Sequence, residues 1–172
     1  SRDPRMAYQC VNARGETVAT RPAFREAFRH RRCAIPMDGF FEWERSGKKP
    51  LPWRFVRPDG SVFLLAGLWE TWRPPGEERD LETFTVVTTN ASVDMEPIHD
   101  RMPVLLDPAA LGIWLDPTSG PGDLESLMRP SPPATLERYR VSPLVNSARN
   151  EGPACVEPFE EPRTGQGFLP LD

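Results

Sequence analysis

Histidine, cysteine and tyrosine are scarce in this chain, with 2, 3 and 2 copies among 172 residues. The cysteines Cys10, Cys33 and Cys155 are an odd set with no C-x-x-C pair, which argues against a disulfide framework and a zinc ribbon. No apolar run approaches the ~18 residues of a membrane span. No apolar segment of signal-peptide type follows Ser1-Arg2-Asp3-Pro4-Arg5. The expectation is a soluble, cytoplasmic protein with no membrane partner, no metal and no cofactor. Repeats and composition breaks are also missing, so a single domain over residues 1–172 is expected, and 38% hydrophobic residues suffice for its core.

Charge is present but unevenly spread. Residues 1–54 hold 12 Lys/Arg against 6 Asp/Glu, a balance of +6, whereas residues 55–172 hold 9 against 19, a balance of -10. An overall charge of -4 speaks against a protein that wraps duplex DNA, yet a basic first third can track a few phosphates. Charges scattered over a solvated surface explain the same numbers equally well.

Periodicity sketches the elements. Residues 12–18 read as a loop or strand entry. Thr20 and Pro22 start an amphipathic helix over 22–30, with Phe24, Ala27 and Phe28 inward and Arg31-Arg32 at its end, where cations suit the helix dipole. Residues 38–57 read as a hairpin with a polar tip at Ser46-Gly47-Lys48-Lys49-Pro50. Residues 62–69 form a central strand, 84–89 a β-branched strand, 104–106 another apolar run and 136–141 a last strand. Asp107-Pro108 caps a helix through Trp114, and 124–128 is one more helical turn. From about Phe159 to residue 172 the composition predicts a poorly ordered tail. Hairpins in place of regular βαβ units indicate an α+β fold around mostly antiparallel sheet.

Two places concentrate chemistry. In Asp38-Gly39-Phe40-Phe41-Glu42-Trp43-Glu44 a strand would put Phe40 and Glu42 on one face and Phe41 and Trp43 on the other, holding a carboxylate against an aromatic wall where it can pass protons. An exposed edge-strand glutamate is the plainer alternative. In Ile98-His99-Asp100-Arg101, a histidine sits among charged groups in a loop, either as a proton carrier or as a structural ring bonded to a carbonyl beside an Asp100–Arg101 pair. His30, at a helix end, is simplest as a surface cation.

Taken in order, Asn12-Ala13-Arg14-Gly15-Glu16, Asp38-Gly39-Phe40-Phe41-Glu42-Trp43 and Ile98-His99-Asp100-Arg101-Met102-Pro103 resemble the SRAP family, the SOS-response-associated peptidase-like proteins that attach covalently to abasic sites in single-stranded DNA. Arg32-Cys33-Ala34-Ile35-Pro36, Ala66-Gly67-Leu68-Trp69-Glu70, Val87-Thr88, Val141-Ser142 and Val145-Asn146 fit at suitable separations. The resemblance spans about residues 12–156. It implies strongly curled sheets around a barrel-like core with a few short peripheral helices. It also implies an SOS and DNA-damage response enzyme, hydrolase or lyase, that acts as a monomer at the nucleoid. Its partner is single-stranded DNA with abasic sites. Glu42 and His99 match the family's catalytic pair, and Asn12 the asparagine that holds the sugar and the linkage. Arg14 and Arg101 match phosphate-holding arginines, and Thr88 a residue near the DNA backbone.

In that family an N-terminal cysteine, bared by autoproteolytic loss of the initiator Met, closes a thiazolidine on the sugar aldehyde with its amine and thiol. This chain opens Ser1-Arg2-Asp3, so the expectation is a domain lacking its N-terminal catalytic-Cys segment and inactive in crosslinking as it stands. Internal Cys10, Cys33 and Cys155 cannot substitute, because their nitrogens are amides. The alternative from another class is a non-catalytic single-strand binding module of the same fold. A Cys or Glu/His peptidase acting on other proteins is a weaker third reading.

Overall fold

The computed structural model describes residues 10–44, 50–74 and 76–160. Period-two runs rich in β-branched and aromatic residues form β1 (Asn12–Arg14), β2 (Arg32–Met37), β3 (Phe40–Glu44), β4 (Leu51–Val56), β5 (Phe63–Trp72), β6 (Leu81–Asn90), β7 (Arg101–Pro103), β8 (Leu105–Leu106) and β9 (Glu137–Arg140). Between them lie α1 (Gly15–Val18), α2 (Arg25–His30), α3 (Pro108–Leu115) and α4 (Pro121–Ser126). The larger sheet runs β1-β6-β5-β2, with β7 on β6 and β8 on β5; the smaller runs β3-β4-β9. Every strand pairing is antiparallel except β1 on β6. The α+β, mostly antiparallel expectation therefore holds. The curled, barrel-like core does not emerge: β1 and β2 are opposite edges of an open sheet in the described residues.

The Phe63–Leu68 part of β5 is buried on both faces, as its continuous apolar run requires, and Trp69–Thr71 are exposed. Leu64, Ala66 and Leu68 pack with Phe28, Trp114 and Leu124 of the helical layer. Phe63 and Leu65 pack with Phe55, Met95 and Met102 beneath the smaller sheet, where Phe40 stacks on Phe55 at a centroid distance of 5.2 Å. Three layers result: helices, large sheet, small sheet.

Strands β5 and β6 pair only as far as Gly67 and Val86, then part. The segment 101–106 fills the fork. It pairs antiparallel with β6 as β7, reverses at the fully buried Val104, and pairs antiparallel with β5 as β8. Val104 ties both arms: its N–H donates to Val87 and its carbonyl accepts from Ala66, each at 2.9 Å. The chain immediately before this wedge is the His99 loop.

Several boundaries differ from the periodic reading. Residues 12–18 are a strand and a helical turn. The helix expected over 22–30 begins at Arg25, because the N–H groups of Phe24 and Arg25 both bond the Arg21 carbonyl and make a turn of 21–24. The turn expected at 124–128 is α4, begun three residues earlier by Pro121 at its first position. Asp107 caps α3 as expected, accepting from the Ala110 N–H at 2.8 Å. The hairpin of β3 and β4 is present, its tip at 45–49 lying outside the described residues. Of the expected tail, Phe159 is still tied to β9 by its N–H to the Arg140 carbonyl at 2.8 Å, and residues 161–172 lie outside the description. No helix of the described residues is long and apolar enough to cross a membrane.

Gly39 lets β3 enter close to β4: a Cβ there would stand 2.8 Å from the Phe55 carbonyl oxygen. Arg32 closes two helices, with Nη1 donating to the Phe28 and Arg29 carbonyls, Nε to that of Trp114 and Nη2 to that of Asp116, at 2.6 to 2.8 Å. Arg32→Met keeps much of the stem but orphans four carbonyls, and denaturant unfolding should show a loss of about 2 to 3 kcal/mol. An unchanged midpoint would show that water replaces those bonds at no cost.

Candidate functional site

Register fixes which side chains share a face. Asn12 pairs with Val86 and Arg14 with Thr88, so these four point to one side of the large sheet, while Ala13 and Val87 are buried in the helical layer on the other. Val86 packs against the core beneath the small sheet, so the face carrying Asn12, Arg14 and Thr88 is turned toward that sheet. On the small sheet Glu42 pairs with Trp53, and Trp53 with Arg140. Trp53 packs into the same core from the opposite direction. Glu42 and Arg140 therefore share the face turned toward Asn12, Arg14 and Thr88.

Glu42 lies on β3, an edge strand of the small sheet, and is half-buried there, neither fully exposed nor sealed in the core. Its strand is held from the outer face. The Trp43 indole N–H donates to Asn146 Oδ1 at 2.7 Å, and Arg54 on β4 donates to Asp38 at 2.9 Å and Tyr139 at 3.0 Å. On the inner face the Trp53 indole donates to Glu44 at 3.0 Å.

Arg101 joins the elements of the large-sheet half. Its Nη1 donates to Glu16 Oε1 at 2.6 Å and Asn90 Oδ1 at 3.0 Å, and its Nη2 to Glu16 Oε2 at 2.9 Å and the Thr88 carbonyl at 2.7 Å. Thr88 Oγ1 donates in turn to the Ala13 carbonyl at 3.4 Å. The planar fork matches the carboxylate, a geometry lysine cannot supply. The Asp100–Arg101 pairing considered from sequence is absent, because Glu16, 85 residues away in the chain, takes both arms of the fork.

His99 is fixed by the same residue through its backbone. The Arg101 N–H lies 3.0 Å from Nδ1, the Arg101 carbonyl 3.1 Å and Asp100 Oδ1 3.4 Å. A neutral ring accepts at Nδ1 and carries its proton on Nε2, while a charged ring donates from Nδ1 to the carbonyl or the carboxylate. Nδ1 thus faces one donor and two acceptors, all from the two residues that follow it in the chain. Ile98, its neighbour, packs against the same core as Phe40, two residues before Glu42.

The register and hydrogen bonds thus put Asn12, Arg14, Thr88 and Arg101 on one face of the large sheet, with His99 on the loop that leads into β7, and turn the Glu42 face of the small sheet toward that side. Sequence reasoning missed Glu16, Asn90 and Arg140. Glu16 was part of a quoted motif, but its partner is legible only once β1 is known to lie parallel on β6. A separate groove of about 330 Å³, lined by Ile35, Pro36, Trp69 and Phe84 among others, contains none of the predicted site residues. Cys33 sits in that groove, and burial pushes its thiol up, away from the thiolate a nucleophile needs. Among the described residues no group of three or more His, Cys, Asp and Glu could hold a metal ion.

The sequence matches the family SOS response associated peptidase (SRAP) over residues 1–148. The chain belongs to the SRAP family. This SRAP chain is 40% identical over 159 residues to the abasic site processing protein YoqW of Bacillus subtilis (strain 168), covering 91% of its own length and 70% of that relative. It is 30% identical over 180 residues to the abasic site processing protein HMCES of Gallus gallus, covering 92% of itself and 53% of HMCES. A crystal structure of a Bacteroides thetaiotaomicron protein superposes with a TM-score of 0.83 at 26% identity, over 93% of this chain and 72% of that one.

Hydrogen bonding to Arg101 holds the Glu16 carboxyl below its usual 4.5, against an opposing desolvation effect. A depressed folded-state value stabilises the fold above the unfolded carboxylate range and loses that stabilisation as pH falls through the folded value. Wild type should accordingly exceed Glu16→Gln in stability near neutral pH, with the gap closing below about pH 4. Denaturant midpoints across pH test this, and a gap that widened in acid would contradict it.

Proposed function

We propose that this SRAP domain captures abasic sites in single-stranded DNA and links to them covalently. The carrying observation is the parallel placement of β1 on β6, which sets Asn12 and Arg14 beside Thr88 and the Arg101–His99 loop, opposite Glu42. The abasic sugar in its open form is an aldehyde. The proposed nucleophile is an N-terminal cysteine, freed by autoproteolysis, whose amine adds to the aldehyde and expels water as an imine forms. Its thiol sulfur then adds to the imine carbon, and the nitrogen takes the proton to close a thiazolidine. Glu42 and His99 move protons in ring opening and imine formation, and Asn12 holds the sugar.

Arg14 and Thr88 meet the DNA backbone in this reading. Trp69 and Phe84 pair across β5 and β6 on the face that carries Asn12 and Arg14, and they are 40% and 60% exposed. Exposed rings on the same face as a cation suit a single strand, whose bases stack without being read. The domain works as a monomer at the nucleoid in the DNA-damage response, with no cofactor.

Titration of a labelled abasic oligonucleotide should show salt-sensitive affinity, each neutralised phosphate contributing about 0.7 to the log–log slope. The 172-residue chain should give no adduct that survives denaturing electrophoresis. A form with a mature terminal cysteine should give one, and in that form Glu42→Gln should slow formation by roughly 10²- to 10⁴-fold. Absence of any adduct from the cysteine-terminated form would leave a non-catalytic binding module; an adduct on the 172-residue chain would overturn the nucleophile.

A further inference from the structure

We propose that the groove between α2 and the α3–α4 connection, on the helical layer, docks an acidic peptide segment with a bulky apolar side chain, contributed by a partner protein. The inference is independent of the covalent chemistry above. The groove has a volume of about 410 Å³, within the range of ligand sites, roughly 300 to 1,000 Å³. Buried Phe28 and Leu124 and exposed Pro121 give it an apolar lining, and Arg29, His30 and Arg32 supply the cations. The apolar surface continues onto α3. No residue of Pro108–Leu115 is charged, only Trp114 is buried there, and Ile113 and Leu115 are exposed. A helix apolar on every side is normally covered. Ser119, another lining residue, ties α3 to the groove by donating to the Ile113 carbonyl at 2.7 Å.

Charge decides the occupant. The four hydrogen bonds of the Arg32 guanidinium all go to carbonyls and none to a carboxylate, and desolvation pushes its pKa down. The carboxylates nearby are engaged elsewhere. Asp116 accepts from the Thr118 N–H and hydroxyl at 2.8 and 2.7 Å, and Asp123 accepts from the Gly120 N–H at 3.3 Å. Glu26 is shared by Arg25 at 3.8 Å and Arg29 at 4.0 Å, which leaves α2 with surplus positive charge. A half-buried cation with no bonded anion, set against an apolar lining, is complementary to a carboxylate that arrives with an apolar anchor. A phosphate backbone would answer the cations but leave Phe28, Ile113 and Leu115 uncovered. The groove also faces away from the cleft. Ala13 and Val87, which point opposite to Asn12 and Thr88, are buried in the same cluster as Phe28 and Leu124. Peptide and DNA can therefore be held at once.

Fluorescence anisotropy of the 172-residue chain with a fluorescein-labelled peptide, Gly-Asp-Glu-Asp-Asp-Leu-Pro-Phe, tests the groove without DNA. Saturable binding that weakens as salt rises is expected. The same peptide with serine in place of its leucine and phenylalanine should bind roughly 10-fold more weakly. Arg29→Glu and Pro121→Glu change exposed positions and should each weaken binding by roughly 10-fold with the melting transition retained. An abasic oligonucleotide in excess should leave the peptide bound. No saturable binding, equal binding of the serine peptide, or unchanged affinity in both variants would overturn the proposal. Release of the peptide by the oligonucleotide would also overturn it and make this face a nucleic-acid contact. Tighter binding by the double variant Phe168→Ser/Leu171→Ser would give the groove to this chain's own C-terminal residues, and a dimer dispersed by the peptide would give it to a second copy; either would refute a partner protein as the occupant.

Discussion

One guanidinium holds the two halves of the large sheet's working face in place. Strand β1 is a three-residue parallel edge strand, a pairing with little stability of its own, and segment 101–106 is a wedge in the fork between β5 and β6. Neither has enough backbone pairing to set its own position to a fraction of an ångström. The Glu16–Arg101 fork, with Thr88 and Asn90 as further acceptors, ties the end of β1 to β6 and to the start of the wedge. Val104 does the same at the apex with two backbone hydrogen bonds and complete burial. In the proposed reaction Asn12 and His99 sit on these short elements and need such support, because a misplacement of about 1 Å can cost two orders of magnitude in rate.

The small sheet presents Glu42 by a different means. Its outer face is fastened by the Trp43–Asn146 bond and by Arg54 to Asp38 and Tyr139, and its inner face by the stacked Phe40 and Phe55. The carboxylate thus sits on a rigid hairpin, while His99 sits on a loop braced by its own neighbour. Rigid support from opposite sheets around an open edge suits a ligand that enters as an extended strand.

Strands β5 and β6 were legible because they carry unbroken apolar or β-branched runs, whereas β2 and β7 were not read as strands; Asp107-Pro108 marked its helix through a side-chain cap. Helix starts at 22 and 124 were misplaced by a few residues, since turns around Arg21 and a proline at 121 override the apolar period. The fork was illegible: nothing in Arg101–Leu106 says that three residues pair with one strand and two with another. For the same reason the motif residues could be named but their partners could not. Glu42 and His99 were singled out by type and motif order and Asn12 by the resemblance, whereas the pairing of Glu16 with Arg101 depends on a parallel register that no local pattern encodes.

The most direct test of this account is a crystal structure of the domain with a single-stranded oligonucleotide containing a stable abasic analogue. The account predicts the abasic sugar between the sheets, with Glu42 and His99 each within about 3 Å or one water of it, and a phosphate on Arg14. An abasic sugar more than one water away from both Glu42 and His99, or a strand bound to the helical layer on the other face of the large sheet, would contradict it.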